Sequence, residues 1–224
     1  MTPSTGCVDH DQPGHVCNHT PSSVSESLDE LDFARSIHAA CINNNIARVQ
    51  AILSKDSSRR GVSPATSLDS AGYTALHYAS RAGNKEICTL LLNAGAEVDA
   101  KTPELGTTPL MRAVQQNHLV VARLLVSYGA SIDETNSDKE NVFHILATAA
   151  KNAAAKSDSG QNDNKESHVE LARWLRNKAS SQQEGKLDRM LTARDIRDRI
   201  PVECLGEDTA QEFSGIVAML QPNR

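Results

Sequence analysis

Large aromatic side chains are nearly missing from this sequence. One Trp, three Tyr and three Phe make up 3% of its 224 residues. That excludes a core filled by big rings, and it excludes the stacking platforms on which single-stranded nucleic acid is held. An excess of positive charge is missing too. Lys and Arg total 23 against 28 Asp and Glu, a formal net charge of −5, so binding to nucleic acid by phosphate neutralisation is not expected. No apolar run approaches the roughly 18 residues that a membrane span needs, and no membrane partner is expected. The opening MTPSTGCVDHDQPGH has neither the basic start nor the apolar stretch of an export signal. The five Cys are an odd, scattered set. They read as reduced thiols, which points to the cytoplasm and leaves the nucleus open. Catalytic signatures are lacking as well: there is no G-x-S-x-G, no H-E-x-x-H and no Gly-rich phosphate loop after a strand. No nucleophile, base and oxyanion donor can be assembled, so neither an enzymatic activity nor a cofactor is expected.

What the chain does contain is ordered by texture. Residues 1–27 are rich in Pro, Ser, Thr, Gly and His and read as a disordered tail. From Leu28 the apolar residues Leu28, Leu31, Ala34, Ile37, Ala40 and Cys41 recur at helical spacing, with Ser27 as a possible cap. Asn43 to Asn45 interrupt the run, and Ile46, Val49, Ile52 and Leu53 form a second stripe. The pattern predicts helix, tight turn, helix.

That unit recurs. GYTALHYASRAGNKEICTLLLNAGAEVDAKT from Gly72 aligns without a gap on GTTPLMRAVQQNHLVVARLLVSYGASIDETN from Gly106, 34 residues on. Gly72 falls on Gly106, Thr74 on Thr108, Leu76 on Leu110, Ala79 on Ala113, Leu91 on Leu125, and Gly95 on Gly129. Upstream, Ile37-His38-Ala39-Ala40 takes the place of Leu76-His77-Tyr78-Ala79. Downstream, Phe143-His144 repeats the Leu-His step, and His168, Leu171, Ala172, Trp174 and Leu175 resume the second helix. Between them KNAAAKSDSGQNDNKES, polar and low in complexity, reads as a flexible insertion at 152–167. A degenerate last unit starts near residue 193, with Ile200-Pro201-Val202 in place of Thr-Pro-Leu and AQEFSGIVAML as its second helix. Such helix pairs cannot bury their apolar faces alone, and stacking neighbours makes one core. Small Ala79 and Ala113 permit close helix approach. Gly83 and Asn117 suit a left-handed turn between helices, and Pro109 suits a first helical turn.

The string GYTALHYAS, with a period close to about 33 residues, resembles the ankyrin repeat. The resemblance runs from Leu28 to Leu220 and implies an all-α ankyrin-repeat solenoid of helix-turn-helix units with β-hairpin-like finger loops. The units fall at 28–68, 69–102, 103–135, 136–192 and 193–220. Met111 stands where such repeats usually carry His. The resemblance implies no catalysis. It implies a monomeric scaffold, or adaptor, that binds an unidentified protein partner on a concave face made by fingers and inner helices. By register, that face takes Ser70, Ala71, Tyr73, Arg81 and Ala82 from one unit. It takes Lys101, Glu104, Leu105, Thr107, Gln115 and Gln116 from the next, and Thr135, Ser137, Asp138, Glu140 and Thr148 from the third. Tyr73 and Arg81 are the expected anchors, since Tyr and Arg dominate interface hot spots. A polar or basic partner segment would suit the mix.

Other chemistry-bearing residues have two readings. His77 and His144 are either catalysts or, as this motif favours, imidazoles bonded to the backbone or Thr hydroxyl of a finger. Cys41, Cys88 and Cys204 lie on apolar helix faces and read as small core residues. The alternating charges of RDIRDR read as a finger and a solvated helix start. Cys7, His10, His15, Cys17 and His19 are the basis of an alternative function, a zinc-dependent module in the N-terminal tail. Their spacing does not match the usual two pairs around a longer loop.

Overall fold

In the computed structural model the described residues are 36–55, 63–156, 163–182, 185–206 and 214–222. The N-terminal tail with its Cys/His set, and the helix start expected at Ser27, lie outside them. Helices come in pairs. The pairs are α1 (Ile37–Ile42) with α2 (Ile46–Lys55), α3 (Ala75–Ala82) with α4 (Lys85–Asn93), α5 (Pro109–Gln115) with α6 (Leu119–Ser127), and α7 (Val142–Lys156) with α8 (Asp163–Gln182). A further helix α9 (Lys186–Thr192), a 3-10 turn (Pro201–Leu205) and α10 (Ser214–Leu220) complete the array. The first helix of each pair packs on the first helix of the next: α1 on α3, α3 on α5, α5 on α7, and α7 on the 3-10 turn. The second helices stack likewise in a parallel outer row, and α8 is flanked by α9 and α10. Among the described residues there is no extended strand beyond one isolated bridge, Leu68 to Thr74.

Capping residues set the helix starts. Asn84 Oδ1 accepts the Ile87 amide N–H at 2.9 Å and opens α4. Thr108 Oγ1 accepts the Met111 N–H ahead of α5, whose first residue is Pro109. The turn between paired helices needs a left-handed residue. Gly83 supplies it at φ +76° and Asn117 at φ +60°. At Gly83 a Cβ would also meet the His118 ring at 2.6 Å.

One apolar core runs the length of the stack. Leu76, Ile87, Leu91, Leu110, Met111, Leu125, Phe143, Leu146, Leu171 and Leu175 are fully buried in it, with Ala79 and Ala113 between the helices. Burying methylene groups of this number, at about 25 cal/mol per Å² of apolar surface, is what holds helices that are too short to stand alone. Cys41, Cys88 and Cys204 are buried in the same core. Burial pushes the Cys41 and Cys88 thiols up to about 12, and it raises Cys204 as well. Such thiols pack rather than react.

Two expectations are corrected. The insertion is not loop at its ends: α7 continues to Lys156 and α8 begins at Asp163, leaving 157–162 outside the described residues. Ala153, Ala154 and Ala155 are the strongest helix formers and carry α7 onward. The last unit opens on a 3-10 turn, not an α-helix, and α9 is inserted before it.

Candidate functional site

The finger loops are closed by one device used four times. The first residue of each finger hydrogen-bonds with its backbone N–H to the carbonyl at the far end: Asp69 to Tyr73 (3.0 Å), Thr102 to Thr107 (3.1 Å), Asn136 to Glu140 (3.1 Å) and Asp195 to Arg199 (3.0 Å). The side chain of that first residue then accepts the returning amide. Asp69 Oδ1 accepts Tyr73 N–H at 2.8 Å, Thr102 Oγ1 accepts Thr107 N–H at 3.0 Å, and Asn136 Oδ1 accepts Glu140 N–H at 2.8 Å. Asp195 Oδ1 accepts Arg199 N–H at 2.9 Å. Short polar side chains favour such turns over strands. The sequence reading missed this device, although the recurrence of Asp, Thr and Asn before each finger was a usable signal.

Imidazoles fasten three of the four helix pairs to the finger that follows. The His77 Nε2–H donates to the Thr107 carbonyl at 2.9 Å, and Nδ1 receives the Thr74 hydroxyl at 2.8 Å and the Thr74 amide at 3.2 Å. A carbonyl can only accept, so Nε2 carries the proton and the ring is neutral. His144 Nε2 donates to the Arg199 carbonyl at 3.1 Å, and His38 Nε2 to the Ser67 carbonyl at 3.1 Å. Burial, the largest influence, moves the pKa of His77 and of His144 below the ordinary histidine value. The histidines are therefore structural. Met111 cannot make this link, but neighbouring fingers are also tied to each other: Ser137 N–H donates to the Leu105 carbonyl at 2.9 Å, Ser137 Oγ to the Glu104 carbonyl at 3.1 Å, and Ile196 N–H to the Asp138 carbonyl at 3.0 Å.

Fingers and first-row helices enclose two cavities. The first, of about 390 Å³, is lined by Tyr73, His77, Tyr78, Arg81, Arg112, Gln115 and Gln116. Four of the expected site residues, Tyr73, Arg81, Gln115 and Gln116, thus meet in one place. Arg112 and Tyr78 were not foreseen. The Arg112 guanidinium lies over the Tyr73 ring at 5.3 Å, donates to the Tyr73 hydroxyl at 2.8 Å and reaches Gln115 Oε1 at 3.2 Å. Tyr73 meets the His77 ring edge-on, at 5.7 Å between centroids. Behind it the Tyr78 hydroxyl donates to Asp69 Oδ2 at 2.5 Å. Burial works to raise the Asp69 pKa, but the bonds from Tyr78 and from the Tyr73 and Ala71 amides outweigh it and hold the carboxylate low. Burial, with the same bond to Asp69, pushes Tyr78 up to about 12.

The second cavity, of about 330 Å³, brings Asp138, Glu140 and Thr148 together with Lys151, Arg197 and the ion pair Asp195–Arg199. In that pair Arg199 Nη2 donates to Asp195 Oδ2 at 2.7 Å. The other expected residues fall elsewhere. Ser70 and Glu104 are exposed on finger tips, and Lys101 pairs with Glu134 at 2.7 Å outside both cavities. Thr107 is a correction. It is 7% exposed, and its carbonyl is taken by His77, so it belongs to the fastening between units and has little surface to offer a partner.

Among the described residues no three His, Cys, Asp or Glu side chains gather to hold a metal, and no helix is long and apolar enough to cross a membrane. The zinc alternative concerned Cys7, His10, His15, Cys17 and His19, which lie outside the described residues.

Family models describe the chain over much of the same length. "Ankyrin repeats (3 copies)" matches residues 26–102, and "Ankyrin repeat" matches 105–137. The human "Ankyrin repeat domain-containing protein 39" is 42% identical over 92 residues, covering 40% of this chain and 46% of that protein. The mouse "B-cell lymphoma 3 protein homolog" is 34% identical over 49% of this chain and 24% of its own length. The bovine "SMC5-SMC6 complex localization factor protein 1" is 34% identical over 52% of this chain and 10% of its own. The chain thus spans less than half the length of each of these relatives. With the matched models, the repeated finger closure and the two stacked helix rows agreeing on one unit, the chain carries ankyrin repeats over residues 26–102 and 105–137.

Proposed function

We propose that this protein is a non-catalytic scaffold or adaptor, and that residues 28–220 act as one repeat domain. It holds a partner protein along the face made by its fingers and first-row helices. The observation that carries this reading is the first cavity. There Tyr73, Arg81, Arg112 and Gln115 stand together, with Tyr73 and Arg112 half-buried and Arg81 and the glutamines exposed around them. Buried Tyr and Arg anchors ringed by polar groups are the usual composition of an interface centre. One relative is named as a localization factor of the SMC5-SMC6 complex.

The test is affinity capture from native extract with the intact protein beside the Tyr73→Ala/Arg81→Ala double variant. A partner held by the first and lost by the second, with helical circular dichroism unchanged, is the expected result. Equal capture by both would move the site away from this face.

A further inference from the structure

We propose that the cavity between Tyr73, Arg81 and Arg112 receives a carboxylate side chain from an acidic segment of the partner. This rests on the reading that the finger-and-helix face binds protein, and it names the chemistry that the face selects.

Charge in the cavity is uncompensated. The Arg112 guanidinium bonds only to neutral groups, the Tyr73 hydroxyl at 2.8 Å and Gln115 Oε1 at 3.2 Å. Such partners orient a guanidinium without cancelling its charge. Arg81 is exposed at the cavity mouth, and no carboxylate among the described residues lies within ion-pair distance of either arginine. The nearest acid of the same finger, Asp69, is occupied. Oδ1 accepts the Ala71 and Tyr73 amides at 2.9 and 2.8 Å, and Oδ2 accepts the Tyr78 hydroxyl at 2.5 Å.

The shape of the opening narrows the ligand further. A guanidinium fork matches the two oxygens of a carboxylate. Arg112 spends one N–H of each terminal nitrogen on Gln115 and Tyr73, which leaves the exposed Arg81 as the freer charge partner. The surroundings add direction. The chain as a whole carries −5, and the acids Asp138 and Glu140 line the neighbouring cavity. Lys151, Arg197 and Arg199 line that second cavity beside Asp138, Glu140 and Asp195, so its charges balance, whereas the first cavity has Arg81 and Arg112 and no acid in its lining and is the one that attracts an acidic anchor.

The test uses the full chain as bait for a phage-displayed library of short random peptides, with a synthetic phosphoserine-containing library as a second arm. Selected peptides are then titrated by fluorescence polarisation against the wild type, Tyr73→Ala, Arg81→Gln and Arg81→Glu. Arg81 is exposed and its side chain makes no internal bond among the described residues, so its variants keep the fold. The expected result is enrichment of Asp and Glu, with affinity falling about tenfold or more in Arg81→Gln and weakening with salt. Arg81→Glu should select Lys or Arg peptides in their place. Peptides that depend on Tyr73 but carry no acidic preference overturn the carboxylate assignment and leave the binding face standing. Enrichment only of phosphorylated peptides also overturns it. Peptides indifferent to both Tyr73 and Arg81, or no peptide above background, overturn the assignment and the face together.

Discussion

His77→Ala is the substitution that most directly probes how neighbouring repeats are joined. In the native chain the ring accepts the Thr74 amide and hydroxyl and donates to the Thr107 carbonyl, a partner 30 residues away on the next finger. Its own exposure is 1%, and Thr74 is 5% exposed, so water does not replace the lost partners readily. Each buried hydrogen bond contributes about 1 kcal/mol net, and a buried group left unpartnered costs about 1–3 kcal/mol. The Thr74 hydroxyl can rotate toward another acceptor. The Thr74 amide and the Thr107 carbonyl cannot move without displacing a helix start and a finger. The expected destabilisation is therefore about 3–5 kcal/mol, a large share of the 5–15 kcal/mol that holds a typical domain. Equilibrium urea unfolding followed by circular dichroism measures it. Thr74→Val, alone and combined with His77→Ala, closes a cycle in which the coupling should reach about 0.5–3 kcal/mol. A loss under about 1 kcal/mol for His77→Ala, or additive effects in the cycle, would refute the fastening role.

Other consequences are equally measurable. Because burial lowers the folded pKa of His77 and His144, the unfolded chain binds protons that the native chain refuses. Stability is then fully present above the unfolded value of about 6.5 and falls as pH drops below it, by up to about 1.4 kcal/mol per pH unit for each ring. Urea midpoints between pH 7 and 5 check this, and the slope should shrink in His77→Ala. Leu91→Ala, at a fully buried position in α4, should cost about 2–5 kcal/mol in the same assay. Gly83→Ala combines a left-handed backbone at φ +76° with a Cβ 2.6 Å from the His118 ring, so a loss of about 1–3 kcal/mol is expected by thermal unfolding.

The repeat was legible because its period is written in apolar residues. Leu76, Leu91, Leu110 and Leu125 recur at fixed spacing, and all four are fully buried. Backbone demands were legible for the same reason: Gly83 and Asn117 stand where the chain turns left-handed, and both have positive φ. The roles of His77 and His144 followed from the motif, in which an imidazole three residues after the capping position can reach back to it. The cavity was only half legible. Register put Tyr73, Arg81, Gln115 and Gln116 on one face, but Arg112 enters from the next unit to lie over Tyr73, a contact across 39 residues that no spacing rule announces. Thr107 carried the right register and the wrong exposure, because its carbonyl is drawn inward by His77.

The sequence by itself thus determined the unit, its period, its core residues and its turns, all of which are local and repeat with the chain. Tertiary structure alone decided which charges face one another. It laid Arg112 over Tyr73 of the preceding unit, paired Lys186 with Asp133 and, among the described residues, left Arg81 and Arg112 without an acid. Apolar burial depends on a pattern along one helix, whereas a charge is satisfied or left open by whatever the neighbouring repeat happens to bring within a few ångströms of it.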